Sequence, residues 1–224
     1  MKPEYIYLIR HGHSVANENK EILNKIPDYA CQLTEKGKKQ AFEAGLKLKE
    51  LIGEDKVAVY CSPFWRARQT YIQLEKSLNI SSYNEDPRIR EQEFGTRISY
   101  PGRKIQEERQ SYGHFYYRMD NGEAASDCYD RVSDFIGSLY REFKKEDFPR
   151  HTIIVNHGLT LRVFLMRWLK LSVEQFEMLK NPANCEYHIL KLMNNGKYEL
   201  ITTPKLYEKP THEYQFDWEK ELKS

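Results

Sequence analysis

Two His-Gly pairs far apart in the chain each close an apolar run. Tyr5–Ile9 leads into Arg10-His11-Gly12, and Thr152–Asn156 leads into His157-Gly158. A strand ending in Arg-His-Gly delivers a cation, a nucleophile or base, and a residue that permits close backbone approach. Strand tips of this kind are where open α/β sheets bind ligands. Arg66, within Ser62-Pro63-Phe64-Trp65-Arg66-Ala67-Arg68-Gln69-Thr70, adds a second planar, permanently charged fork. Two such forks suit phosphate, and phosphoryl transfer chiefly needs its oxygens positioned and neutralised. His157 adds a third donor when protonated. A leaving alkoxide needs a proton and an incoming water must lose one, so one carboxyl group can serve both steps. Glu91 and Glu93, in Arg90-Glu91-Gln92-Glu93-Phe94-Gly95, share a face if that segment is extended.

The elements that must position these groups alternate strand and helix. Tyr5–Arg10 reads as a buried strand, and Thr34 caps a helix over about Glu35–Ile52 with Ala41, Gly45, Leu48 and Ile52 on one face. Val57–Cys61 is a second strand, after which Ser62-Pro63 is expected to start a helix with Pro near its first position, putting Arg66 in the opening turns. Ser81–Glu85 reads as a short edge strand, and Gly95–Gly122 as an irregular insertion rich in Arg, Tyr and Gly. A long amphipathic helix follows over about Ser126–Lys145, striped by Val132, Phe135, Ile136, Leu139 and Phe143. Thr152–Asn156 is a third strand, Leu159–Leu169 a helix, and Ser172-Val173-Glu174-Gln175 a capping box. Tyr187–Leu192 and Tyr198–Thr202 pair as a hairpin around Asn194-Asn195-Gly196-Lys197. The pattern predicts one α/β domain over residues 1–224, a three-layer α/β/α sandwich with a mostly parallel central sheet and an antiparallel edge. A lid insertion over about 95–122 covers the strand tips, and a tail spans about 204–224.

Taken together, His11-Gly12-His13-Ser14-Val15-Ala16-Asn17, the Ser62–Thr70 run, Arg90–Gly95 and Val155-Asn156-His157-Gly158-Leu159-Thr160 resemble the histidine phosphatase superfamily. Arg88–Gly95, Tyr129-Asp130-Arg131-Val132 and Leu159–Trp168 look like its phosphoglycerate-mutase-like branch. The likeness runs from about Tyr5 to Leu192. It implies that His11 is the nucleophile, attacking phosphorus as a neutral imidazole to form a phosphohistidine. Arg10, Arg66 and His157 would surround the transferring group, with Gly12, Ser14, Asn17, Gly158 and Leu159 at the phosphate. The Gly12 carbonyl can accept from the other ring nitrogen of His11 and fix its tautomer. Glu91 aligns with the family's Leu-Arg-Glu pattern as proton donor and base, with Glu93 its competitor.

The implied activity is a metal-independent phosphomonoesterase without a cofactor, acting on a small phosphorylated substrate. A phosphoglycerate-type phosphomutase is the alternative within the enzyme class, and a phosphate-binding or scaffold protein the alternative outside it. For the insertion, Arg97, Arg103 and Arg109 are the first candidates to meet a second anionic group on the substrate, while its aromatics are expected to pack it onto the body. In Asn121-Gly122-Glu123-Ala124, Ala124 stands where the family carries Ser; Glu123 either serves the substrate or begins the following helix. His13 forms a His-x-His with His11 but has no third ligand at metal spacing. His114, His151, His188 and His212 read as surface or structural residues.

Lys+Arg 35 against Asp+Glu 33, interspersed, gives a net charge of +2 and no nucleic-acid footprint. Cys31, Cys61, Cys128 and Cys185 are scattered without CxxC spacing, as in cytosolic proteins with free thiols. The first strand starts too near Met1 for a signal peptide, and no apolar run approaches the roughly 20 residues of a membrane span. A cytoplasmic protein without a membrane partner is expected. Tyr207, Tyr214, Phe216 and Trp218 would pack the tail onto the body or onto the second subunit of a homodimer.

Overall fold

A computed structural model describes residues 2–95 and 103–208, the side chains of 103–106 excepted. The expectations for Arg97, Tyr100, His212, Tyr214, Phe216 and Trp218, and for the side chain of Arg103, lie outside the described residues. In chain order the elements are β1 (Tyr5–Arg10), α1 (Val15–Glu18), α2 (Glu35–Ile52), β2 (Val57–Cys61), α3 (Trp65–Leu74), β3 (Ile80–Glu85), α4 (Arg103–Tyr112), α5 (Ala125–Glu142), β4 (His151–Asn156), α6 (Gly158–Leu169), α7 (Val173–Met178), β5 (Tyr187–Leu192) and β6 (Tyr198–Leu200). Short 3-10 turns occupy Lys20–Asn24, Asp28–Ala30 and Pro87–Ile89.

The sheet runs β3-β2-β4-β1-β5-β6. Its first four strands are parallel, and β5 and β6 add an antiparallel edge. Side chains alternate between the faces, as the pleat requires. Ile6 and Leu8 of β1 and Ile154 of β4 join Val132, Phe135 and Leu139 of α5 and Leu161, Phe164 and Leu165 of α6. Tyr7, Ile9, Ile153 and Val155 point the other way, to Ala41, Ala44, Leu48 and Ile52 of α2 and Ala67 and Leu74 of α3. The result is the three-layer sandwich, each fully buried aliphatic or aromatic side chain contributing about 1.5–3 kcal/mol of transfer free energy.

Three local expectations need correction. Pro63 does not open α3, which begins at Trp65 after the extended residue Phe64. The Ser62 hydroxyl therefore does not cap that helix; it accepts from the Phe64 N–H at 3.4 Å and points elsewhere. The insertion is not irregular throughout, since it carries the ten-residue helix α4. The long helix starts at Ala125, where Asp127 reaches back to the Ala124 N–H at 2.8 Å and fixes the first turn, and it stops at Glu142.

The turn after β1 crosses the start of α2 with no space for side chains. A Cβ on Gly37 would lie 2.0 Å from the His13 carbonyl oxygen, and one on Gly12 would lie 2.5 Å from that of Gly37. Thr34 completes the crossing, its hydroxyl accepting from the Gly37 N–H at 3.1 Å. Gly37→Ala is accordingly expected to destabilise the protein by about 2 kcal/mol or more, the cost of forcing backbone apart in a packed interior. Urea unfolding measures this, and an unchanged midpoint would show that the crossing is not tight.

Candidate active site

Parallel register builds the site. Arg10 pairs with Asn156 across β1 and β4, and Cys61 with Val155 across β2 and β4. The pairing continues past the strand ends, where the His11 N–H donates to Asn156 O at 3.0 Å and the Ser62 N–H to Val155 O at 2.9 Å. His11 and His157 thus emerge side by side from β1 and β4, with Ser62 following β2 level with Asn156. The two imidazoles lie 5.1 Å apart between ring centroids, tilted by 59°.

His11 is buried, and its Nδ1 lies 2.8 Å from the Gly12 carbonyl oxygen. A carbonyl only accepts, so Nδ1 carries the proton and Nε2 keeps its lone pair. That lone pair accepts from Arg66 Nε–H at 3.2 Å. Burial, then the charges of Arg66 and Arg10, hold the His11 pKa well below its ordinary 6.5, so the ring is neutral. His157, fully buried, is lowered in the same way by burial, Arg66 and His11.

Arg66 has its outer edge taken by Asp28, with Nη1 and Nη2 each 2.9 Å from a carboxylate oxygen and Nη1 2.7 Å from the Asp28 carbonyl. This grip turns the remaining edge, the one bearing Nε, toward His11. Arg10 donates from Nη1 to Pro182 O at 2.6 Å, while its buried Nε has no hydrogen-bond partner among the described residues. Asn17 accepts at Oδ1 from the Ser14 N–H, the Ser14 hydroxyl and Asn184 Nδ2. Its own amide N–H groups therefore face away from that cluster and are available to a ligand. Ser14 is buried as the cap of α1. Asn184 also donates to the His11 carbonyl at 3.1 Å.

Glu91 lies against the opening of α6, where its carboxylate accepts from the Leu159 N–H at 3.3 Å and the Thr160 N–H at 3.2 Å. The Leu159 N–H, which the resemblance implied for phosphate, is thus engaged by Glu91. Gly158 packs on Asn181, whose Cγ would lie 3.0 Å from a Cβ at that position. Glu93, by contrast, is exposed. Arg131 pins the Glu91 segment by donating to the carbonyls of Arg88, Arg90 and Glu91 at 2.6, 2.8 and 3.1 Å. Glu123 neither begins the helix, since it precedes the Ala124 cap, nor stands clear for a substrate. It pairs with Arg131 at 3.0 Å and Arg90 at 2.8 Å.

The insertion joins this framework through Arg109, which is buried, donates to Gln92 Oε1 at 2.9 Å and lies over Phe94. Arg103 is placed only as the first residue of α4. Phe115 enters the core beside Phe176 and Tyr129, whereas Tyr112 and Tyr116 are exposed. His13 bonds Thr34 Oγ1, and among the described residues no three His, Cys, Asp or Glu side chains group as metal ligands. His114, His151 and His188 are largely buried and structural, and all four cysteines are free and buried. Among the described residues no helix is long and apolar enough to cross a membrane. Asp28, Ser62, Arg131 and Asn184 are site residues that the sequence did not single out; each acts through a neighbour's side chain or backbone, and although Ser62 and Arg131 lie in motif runs, nothing local marks their role.

Two outcomes follow from this geometry. His11 and His157 fold with pKa values well below 6.5, His114 is lowered to about 3 by burial, and burial lowers His151 and His188. The unfolded chain therefore binds more protons, so stability is fully present above about pH 6.5 and is lost as pH falls toward the folded values, by about 1.4 kcal/mol per pH unit for each such histidine. Urea midpoints from pH 7.5 to 5 should fall accordingly, and His157→Gln should flatten the slope. Asp28→Asn should loosen the Arg66 fork and weaken inorganic phosphate binding roughly tenfold, as expected for a charge-assisted pair. Unchanged affinity by calorimetry would remove Asp28 from the site.

A family model described as histidine phosphatase superfamily (branch 1) matches residues 6–205. Phosphoglycerate mutase-like protein AT74 of Arabidopsis thaliana is 40% identical over 214 residues, covering 88% of this chain and 68% of the relative. Broad-range acid phosphatase DET1 of Saccharomyces cerevisiae is 28% identical over 298 residues, covering 90% and 89%. The structure of mycobacterial glucosyl-3-phosphoglycerate phosphatase complexed with VO3 superposes with a TM-score of 0.71 at 20% identity, over 90% of this chain and 99% of that one, a likeness of fold.

Proposed function

This chain belongs to the histidine phosphatase superfamily, and on that footing we propose that it is a metal-independent phosphomonoesterase working through a phosphohistidine on His11. The observation that carries this reading is the single lone pair at His11 Nε2. Its partner nitrogen is fixed on the Gly12 carbonyl, its pKa is held down, and it accepts from Arg66 Nε at 3.2 Å, a donor that a phosphoryl oxygen would take over when substrate binds.

In the first step Nε2 attacks phosphorus, the P–O ester bond breaks, and Glu91 passes a proton to the leaving alkoxide. Arg10, Arg66 and Asn17 take the phosphoryl oxygens, with the arginines supplying charge that many phosphatases draw from metal ions. In the second step Glu91, now a carboxylate, takes a proton from water as that water attacks phosphorus. The P–N bond breaks, phosphate leaves, and both His11 and Glu91 regain their starting forms. The resemblance to a phosphoglycerate mutase-like relative supports a second reading, in which an alcohol other than water receives the phosphoryl group. The two readings share the first step and differ in the acceptor.

Phosphate release from a panel of phosphomonoesters, with chelator present, tests this. Wild type should release phosphate and His11→Ala should lose at least about a thousandfold in kcat. Transfer to a second hydroxyl without release would identify the mutase, and neither activity would identify a binding protein. Glu91→Gln should lower kcat by about a hundredfold or more for alkyl esters and far less for aryl esters, whose leaving groups need no proton. Equal losses on both would remove Glu91 as the acid.

A further inference from the structure

His157 is a neutral ring at the centre of a phosphate site, so it can donate from one nitrogen only, and which one matters. Its Nε2 lies 2.7 Å from Ser62 Oγ, while its Nδ1 is buried and has no hydrogen-bond partner among the described residues. The Ser62 hydroxyl has two hydrogen-bond neighbours, the Phe64 N–H at 3.4 Å and His157 Nε2. Ser62 is itself completely buried.

The Phe64 N–H can only donate, so it uses one acceptor site on Ser62 Oγ. If His157 also donated through Nε2–H, the Ser62 O–H would be buried with nothing to accept it, at the cost of an unmade hydrogen bond. If Ser62 donates to Nε2 instead, both the Ser62 O–H and Nε2 are paired and the imidazole proton sits on Nδ1 as the one group left over, whereas the other tautomer leaves two, the Ser62 O–H and the Nδ1 lone pair. That leaves one polar N–H unspent on a fully buried ring whose centroid is 5.1 Å from that of the nucleophile.

We propose that Ser62 is a positioning residue that fixes His157 in its Nδ1–H tautomer, making the uncharged ring a standing donor to the phosphoryl group carried by His11. The proposal rests on the phosphohistidine reading for what the donor binds, but the tautomer itself does not depend on turnover. Protonation of His157 is then not needed for it to assist, and it can donate throughout the pH range in which His11 is a free nucleophile. Phe64 completes the device: its backbone N–H bonds Ser62, and its ring packs edge-on against His157 at 5.2 Å. This also accounts for the extended conformation of Phe64 ahead of α3, since a helix beginning at Pro63 would draw the Ser62 hydroxyl into capping its first turn.

Two-bond 1H–15N correlation spectra of protein labelled at histidine nitrogen, with His157 assigned by its loss in His157→Gln, test this without any substrate. At pH 7.5 the wild type should show a neutral His157 protonated on Nδ1, and Ser62→Ala should shift it toward the other tautomer. Titration with inorganic phosphate should show about five- to tenfold weaker binding in Ser62→Ala, the worth of one hydrogen bond. Ser62→Thr, which keeps the hydroxyl, should restore both. A wild-type ring protonated on Nε2, or charged at that pH, would overturn the proposal whatever the variants do, as would a tautomer unmoved in Ser62→Ala. If the tautomer is as expected but no phosphomonoester is turned over, the hydrolase reading fails and the Ser62 assignment stands.

Discussion

The site depends on the parallel register of β2, β4 and β1. Because Arg10 sits opposite Asn156 and Cys61 opposite Val155, the next residues put His11 level with His157 and Ser62 level with Asn156, one residue short of His157. A shift of one residue in either pairing would turn an imidazole into a helical layer, since successive side chains face opposite sides. Both faces are packed by helices, so register is strongly specified by the core. The apolar interior and the catalytic alignment are therefore consequences of the same pattern.

Charge is distributed in complementary tiers around these strand tips. The histidines are kept neutral by burial and by the arginines, while each site arginine has one end anchored so that the other is presented. Asp28 holds Arg66, and the Pro182 carbonyl holds Arg10. A further tier shapes the acid-bearing segment, where Arg131 gathers three backbone carbonyls and Glu123 neutralises Arg131 and Arg90. Gln92 links that tier to the insertion, donating to the Glu123 carbonyl and accepting from Arg109. Breaking one member of such a buried network leaves its partners unsatisfied, which makes it stiff.

Much of this was legible in the chain because it rests on local patterns. The Glu35–Ile52 helix and the Val57–Cys61 strand match the structure residue for residue, and the Ser172 capping box opens α7 as read. The motifs pointed to His11, Arg66, Glu91 and His157, and the fold brings them to neighbouring strand tips and the mouth of α6. What stayed hidden was long-range and chemically ordinary. The Asp28 contact to Arg66 spans 38 residues, and that of Ser62 to His157 spans 95. Serine before proline reads as a helix start because local hydrogen bonding favours it; only the tertiary partner reveals another use. Helix α4 was obscured by its polar sequence, Arg103–Tyr112, which carries little apolar periodicity.

The central claim is that the phosphoryl group passes through His11 before water receives it. The most direct measurement is the stereochemical course at phosphorus, using an ester made chiral with three oxygen isotopes. Two successive in-line displacements, the first by His11 Nε2 and the second by the acceptor, predict net retention of configuration when the group is captured by an acceptor alcohol. Net inversion would mean a single direct attack on the ester and would contradict the account.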